Sequence, residues 1–199
     1  IDKMLRNIEV TYADPVKSQV DLLDTQEEDE LPDIDKNEIT VNEDSSLYVE
    51  IFTAPERSGS DKDGWMNEMA EKFNREDMQV NGQDVSVRIR NVTSGLAMEY
   101  IATGKYVPDG FSPSNAFWGK MLEADDVRVQ TVAERLVGNV PILMFQNDTY
   151  DELMKKYGAL NLKTVVEATA NGEITMGYTN PYASSTGLNF LISTLQTYS

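Results

Sequence analysis

The chain has 199 residues, 40% of them apolar, and a formal net charge of −17, with neither a cysteine nor a histidine. That length suits one domain or two small lobes. The missing residue types exclude disulfides, thiolate metal sites and the nucleophilic schemes that use an imidazole base.

Residues 1–46 hold 14 acidic and 4 basic side chains and read as an acidic, extended leader. Such a surface repels nucleic acid and anionic lipid, so neither is expected as a partner. Ile8–Tyr12 and Ile39–Val41 have strand character. The run Asp24 to Lys36, DTQEEDELPDIDK, lacks the glycine-punctuated alternation of a calcium loop and reads as a solvated linker.

Leu47 to Thr53, LYVEIFT, is the first strong strand, apolar enough for burial on both faces of a parallel sheet. Ala54 to Gly64, APERSGSDKDG, reads as a long polar loop. Its DKDG is no EF-hand, because the position that needs a bidentate Glu is Ala70. Trp65 to Phe73 follows as a helix with Met66, Met69 and Phe73 on one side. Strand 84–92 then alternates Val85, Val87 and Ile89 at period two. It runs through Thr93-Ser94-Gly95 into helix 95–103, where Leu96, Tyr100 and Ile101 recur at helical spacing and Gly104 caps the end. A short strand over Asp109–Phe111 leads through Ser112-Pro-Ser114-Asn115 into a helix, Ala116 to Ala124. Repeated strand-helix pairs imply right-handed crossovers, so residues 47–126 form a first α/β lobe with a parallel-rich sheet.

Residues 127–199 read as a second, partial α/β lobe. Arg128–Val137 and Val140–Phe145 are strand-like around Gly138-Asn139. Asp148–Tyr157 starts a helix at an Asp cap, and Leu162–Ala170 is a further helix closed by Gly172. Ile174–Tyr178 is a strand leading to the last helix, Leu188 to Leu195. No stretch approaches about 18 consecutive apolar residues, so no helical membrane span is expected. The start at Ile1 and the sparse second lobe lead us to expect that part of the natural protein lies outside this sequence.

Three strand-to-helix junctions carry small hydroxyl residues: Thr93-Ser94-Gly95, Ser112-Pro-Ser114-Asn115, and Thr179 to Gly187, which contains Asn180, Ser184, Ser185 and Thr186. The first backbone N–H groups of a helix have no internal acceptor and carry partial positive charge. A hydroxyl there either caps its own helix or points outward beside those N–H groups toward an anion or carbonyl. In an open α/β sheet the carboxyl ends of the strands meet at one rim, so recurrence favours the second use. Trp65 and Trp118 fall in apolar helical patterns and read as core. Tyr178 and Tyr182 flank the third junction with better access to a ligand. The nine methionines read as core filler. No cofactor and no metal site is expected.

The succession of strand, TSG, helix and PDGFSPSNAFW resembles the type II class of bacterial extracytoplasmic solute-binding proteins, and within it the molybdate-binding branch. MGYTNPYASSTGLNFL, ELPDIDK and GWMNEMAEKFN resemble relatives in which the solute-binding domain is fused to a von Willebrand factor A domain. The resemblance runs from about residue 30 to the end. It implies a periplasmic-binding-protein-like fold with an interlobe cleft. Thr53, Thr93, Ser94, Gly95, Ser112 and Ser114 would contact ligand from the first lobe, and Asn180, Ser184, Ser185 and Thr186 from the second. It also implies a small polar or anionic ligand and a role in ABC-type uptake or sensing with a permease. The location would be extracytoplasmic, as a cell-surface lipoprotein with its lipid anchor upstream or as a secreted protein. The loop after Thr53 is longer and more charged than in oxyanion binders, with Arg57 and Lys62 in it, so the ligand need not be molybdate.

Three roles follow. The leading one is solute binding. The second is an interaction scaffold beside a von Willebrand factor A domain without transport. An enzyme is the weakest, because Ser94 or Ser185 would need a lysine or carboxylate in place of a histidine; Lys105 and Asp109 are near Ser94 in sequence, but nothing pins them to it.

Overall fold

A computed structural model describes residues 31–43, 45–59, 64–138 and 140–199. The expected strand Ile8–Tyr12, the first seven residues of the acidic run, and Lys62 with the DKDG aspartates lie outside the described residues. The described chain divides into two compact units, one ending at Gly138 and the other spanning 140–199.

The first unit is a sheet flanked by helices. Its strands are β1 (Ile39–Val41), β2 (Leu47–Thr53), β3 (Gln79–Val80), β4 (Gln83–Asn91) and β5 (Gly110–Ser112), in the order β1-β4-β2-β5, with β3 also pairing β4. β2 pairs in parallel with β4 from Leu47 opposite Val85 to Thr53 opposite Asn91, and in parallel with β5 from Ile51 opposite Gly110 to Thr53 opposite Ser112. β1 and β3 join β4 antiparallel. Its helices are α1 (Pro55–Ser58), α2 (Trp65–Asn74), α3 (Ser94–Thr103) and α4 (Ala116–Ala124).

Period-two alternation assigns the two faces. Ile51, Val87 and Ile89 pack with Val41, Trp65, Met66 and Ala70, which places α2 on one face. Phe52 and Val92 pack with Ala97 and Tyr100 of α3, and with Leu31, on the other. The chain thus leaves β2 for one neighbour through α2 and leaves β4 for β5 through α3 on the opposite face. Right-handed crossovers in opposite directions demand this.

β2 is not buried throughout: exposure falls from 38% at Leu47 to 1% at Phe52, because the core clusters collect near its carboxyl end. On α2 the buried stripe is Met66, Ala70 and Asn74, four residues apart, while Met69 is exposed. The loop after Thr53 contains a helical turn, α1, started by Pro55 at its first position, where the ring's fixed φ suits a helix and the missing N–H costs nothing. Residues 31–43 are not a loose leader. Leu31 is in the core and β1 is in the sheet. Lys105 Nζ donates to Leu31 O (2.7 Å), Tyr100 Oη to Pro32 O (2.8 Å) and Arg90 Nη1 to Asn37 O (3.0 Å).

Asn74 ties α2 to the sheet as a strand would. Its Nδ2 donates to Val87 O (3.0 Å) and its Oδ1 accepts from Val87 N (2.7 Å). Asn74→Ala leaves both backbone groups of Val87 without these partners beneath α2. A loss of about 2 kcal/mol is expected in urea unfolding, since an unsatisfied buried polar group costs roughly 1–3 kcal/mol. A loss below a few tenths would show that water replaces the amide.

The second unit is helical: α5 (Asn147–Tyr157), α6 (Leu162–Ala170) and α7 (Ser185–Tyr198). Residues 128–137, 140–145 and 174–178, expected as strands, form no ladder among the described residues. Strand composition sets only a preference. A strand needs a neighbour to take its N–H and C=O groups. The cap of α5 is Gln146, without a side-chain cap bond, rather than Asp148; α7 begins three residues earlier than its periodicity suggests.

Candidate functional site

Register alone brings three junctions together in the sheet unit. Thr53 at the end of β2 is level with Asn91 of β4 and with Ser112 of β5. α1, α3 and α4 start two, three and four residues beyond these positions. Because α2 and α3 leave toward opposite faces, β2 and β5 form the topological switch point, where ligands of open α/β sheets lodge outside the carboxyl ends.

The side chains at that rim are joined to one another. Thr53, fully buried, donates from Oγ1 to Ser112 O (3.3 Å). Ser94 Oγ accepts from Ser114 N (3.2 Å). Arg57, presented by α1, donates from Nη1 to Ser112 Oγ (3.1 Å) and from Nη2 to Ser114 Oγ (3.3 Å) and to Ser112 O. Ser114 Oγ donates to the Glu56 carboxylate. Ser114 is therefore the hinge of the cluster, with Ser94 on its amide and Arg57 and Glu56 on its hydroxyl.

The helix starts differ in a way that matters for ligands. On α4, Asn115 caps its own helix by accepting from Phe117 N (2.8 Å). On α3 the cap position is Thr93 rather than Ser94, and neither supplies a side-chain cap bond, so the amides of the first turn have no capping oxygen. Gly95 is buried beside Ser94 in that turn. Burial pushes the Arg57 guanidinium below its ordinary pKa, and the neighbouring Glu56 carboxylate pulls it back up. Arginine stays protonated regardless, so the site holds a fixed positive charge.

Of the expected first-lobe residues, Thr53, Ser94, Ser112 and Ser114 thus meet in one hydrogen-bonded cluster. Thr93 and Gly95 adjoin it along α3. Asn180, Ser184, Ser185 and Thr186 belong to the helical unit, around the start of α7. There Ser184 and Ala183 donate their amides to Asn180 O (2.9 and 3.2 Å), Asn180 Oδ1 accepts from Tyr182 N (2.9 Å), and Thr179 Oγ1 donates to Ser184 Oγ (3.0 Å). Tyr178 stacks against Phe190 at 5.1 Å, and Tyr182 is exposed. Trp118 is core, as expected.

Sequence reading places Arg57 merely in a charged loop. The available signal was Pro55, which starts the turn that carries Arg57 inward. A separate concavity of about 670 Å³ is lined by Glu38, Glu68 and Glu71 together with Thr40, Ser58 and Asn67. Its carboxylates suit no anion, and Asn67 there already bonds Thr40 Oγ1 (2.9 Å) and Ser58 O (2.8 Å). The strand-end cluster is the better candidate on chemistry.

The family model for the bacterial extracellular solute-binding proteins matches residues 57–197, which includes Arg57, all three hydroxyl junctions and most of α7. The chain belongs to this family. Neither the curated proteins nor the solved structures gave a match. As a bacterial extracellular solute-binding protein, the chain is a ligand-binding domain of extracytoplasmic type. Its mixed α/β fold with a mostly parallel sheet agrees with that membership. No helix among the described residues is long and apolar enough to cross a membrane.

Proposed function

We propose that this solute-binding protein holds a small polar or anionic ligand at the rim formed by the ends of β2, β4 and β5, for uptake through an ABC-type permease or for sensing. Thr53, Thr93, Ser94, Gly95, Ser112 and Ser114 are its contacts in the sheet unit. In the helical unit, Asn180, Ser184, Ser185 and Thr186 at the start of α7 are proposed as ligand-contacting residues. The observation that carries this reading is the convergence of Thr53, Ser94, Ser112 and Ser114 beside an uncapped helix start at the switch point. Neutral hydroxyl and amide donors select a ligand by hydrogen-bond match, because a solute that leaves buried donors unpaired is rejected. The molybdate-like motifs support an oxyanion within this class, and a lipoprotein or secreted location fits the family.

The test is thermal unfolding in the presence of oxyanions, amino acids, short peptides and sugars. We expect one class to raise the midpoint in a saturable way, by about 2.7 kcal/mol of added stability at a hundredfold excess over Kd. No response to any class would count against the reading. A second reading, an interaction module beside a von Willebrand factor A domain, draws on Val132, Val140, Ile142 and Met144, which stand largely exposed. It gains if no solute responds and sedimentation shows association with such a domain.

A further inference from the structure

We infer that the solute carries an oxyanion group and that Arg57 pairs with its charge and excludes uncharged solutes; this rests on the solute-binding reading of the same rim. Arg57 is only 9% exposed, yet among the described residues it forms no ion pair. Its hydrogen bonds go to oxygens of Ser112 and Ser114, all of them uncharged, and its buried Nε–H has no acceptor. A buried charge without a counter-charge is costly, and folded proteins pair such groups. The other buried arginine of the sheet unit obeys that rule: Arg90 Nε meets Glu50 Oε1 at 3.0 Å. Arg57 departs from it: the neighbouring Glu56 carboxylate makes no direct ion pair with the guanidinium, which lies at the ligand rim.

The neighbouring groups point the same way. Ser114 accepts from Arg57 on its hydroxyl and donates its amide to Ser94, the first residue of α3, so the guanidinium and the uncapped start of α3 flank one residue. Both are positive, and both present N–H donors. A group with two or more oxygens sharing a negative charge matches a planar guanidinium fork better than a single hydroxyl or carbonyl does. Carboxylates and inorganic oxyanions share that chemistry. Among the described residues the carboxylate at the rim is Glu56, which is exposed and takes the Ser114 hydroxyl rather than Arg57. It competes with an incoming anion for the same donor and repels it.

Titration calorimetry of the 199-residue chain with sulfate, molybdate, citrate and L-glutamate, and with maltose as the uncharged probe, tests this at constant ionic strength. At least one oxyanion should bind and maltose should not; which arm responds separates carboxylates from inorganic ions. Arg57→Met should weaken that binding by about thirtyfold or more, as expected when one partner of a desolvated charge pair is truncated. Arg57→Lys should recover part of the loss, since it keeps the charge without the fork. Glu56→Gln should tighten binding by about threefold, on the scale of a partly exposed charge contact. If Arg57→Met does not fold, the lysine and glutamine variants decide. Binding of maltose alone, or an oxyanion affinity unchanged in Arg57→Met or Arg57→Lys, overturns the assignment to Arg57 while the solute-binding reading survives. Binding of no probe overturns both.

Discussion

Phe52→Ala is expected to destabilise the sheet unit by about 4 kcal/mol, the usual cost of emptying a large aromatic site in a core. Phe52 is 1% exposed and touches the cluster of Leu31, Val92, Ala97 and Tyr100, with Ile34, Leu96, Tyr106 and Phe111 around it. These neighbours come from β5, α3, the junction after β4 and segments before β1 and after α3, so the ring joins parts distant in sequence. No single one of them can collapse into the space without leaving another contact. The substitution should also disturb the rim, because Thr53 follows directly and its position depends on β2 staying in register with β5. Urea unfolding followed by near-ultraviolet circular dichroism would measure the loss; a value under about 1.5 kcal/mol would mean that the core relaxes around the missing ring.

Gly187→Ala tests the helical unit, and here two effects of opposite sign compete. In a helix interior alanine is better than glycine by about 1 kcal/mol. At Gly187, however, an added Cβ would lie 2.0 Å from Thr179 O, 2.8 Å from Thr179 C and 2.9 Å from Asn180 C. These are backbone atoms, and several hydrogen bonds from Tyr182, Ala183 and Ser184 to Asn180 hold that loop in place. The overlap therefore wins, and a net loss of about 3 kcal/mol is expected, at the upper end of what overpacking costs. Hydrogen exchange over α7 would report it. Gly119→Ala on α4 is the control: nothing lies within 4 Å of its added Cβ, so that change should stabilise by about 0.5–1 kcal/mol. Stabilisation at both positions would show that the loop does not press on α7.

How much of this was legible in advance depended on the range of the interactions involved. The helices Ala116–Ala124 and Leu162–Ala170 and the strands Leu47–Thr53 and Ile39–Val41 coincide with their expected bounds, because apolar period, an asparagine cap and flanking turn residues all act within a few positions. The αL cap at Gly104, with φ of 75°, was readable for the same reason. Alternation failed where it stood alone. Val140 to Phe145 has the composition of a strand and no ladder partner among the described residues, and the faces of α2 were mistaken at Met69 because hydrophobicity does not reveal which side meets the sheet.

Composition and local pattern were enough to show that small hydroxyl residues end two strands of the sheet unit and that no imidazole or thiol chemistry is open to this chain. The folded chain was needed to show that Thr53, Ser94, Ser112 and Ser114 are neighbours, since their meeting depends on the parallel register of three strands distant in sequence. The same holds for Arg57, which turns inward to join them. A guanidinium in a polar stretch is drawn toward water by its hydration, and nothing local opposes that. What holds Arg57 at 9% exposure is a turn started by Pro55 and a set of serine oxygens that arrive more than fifty residues later.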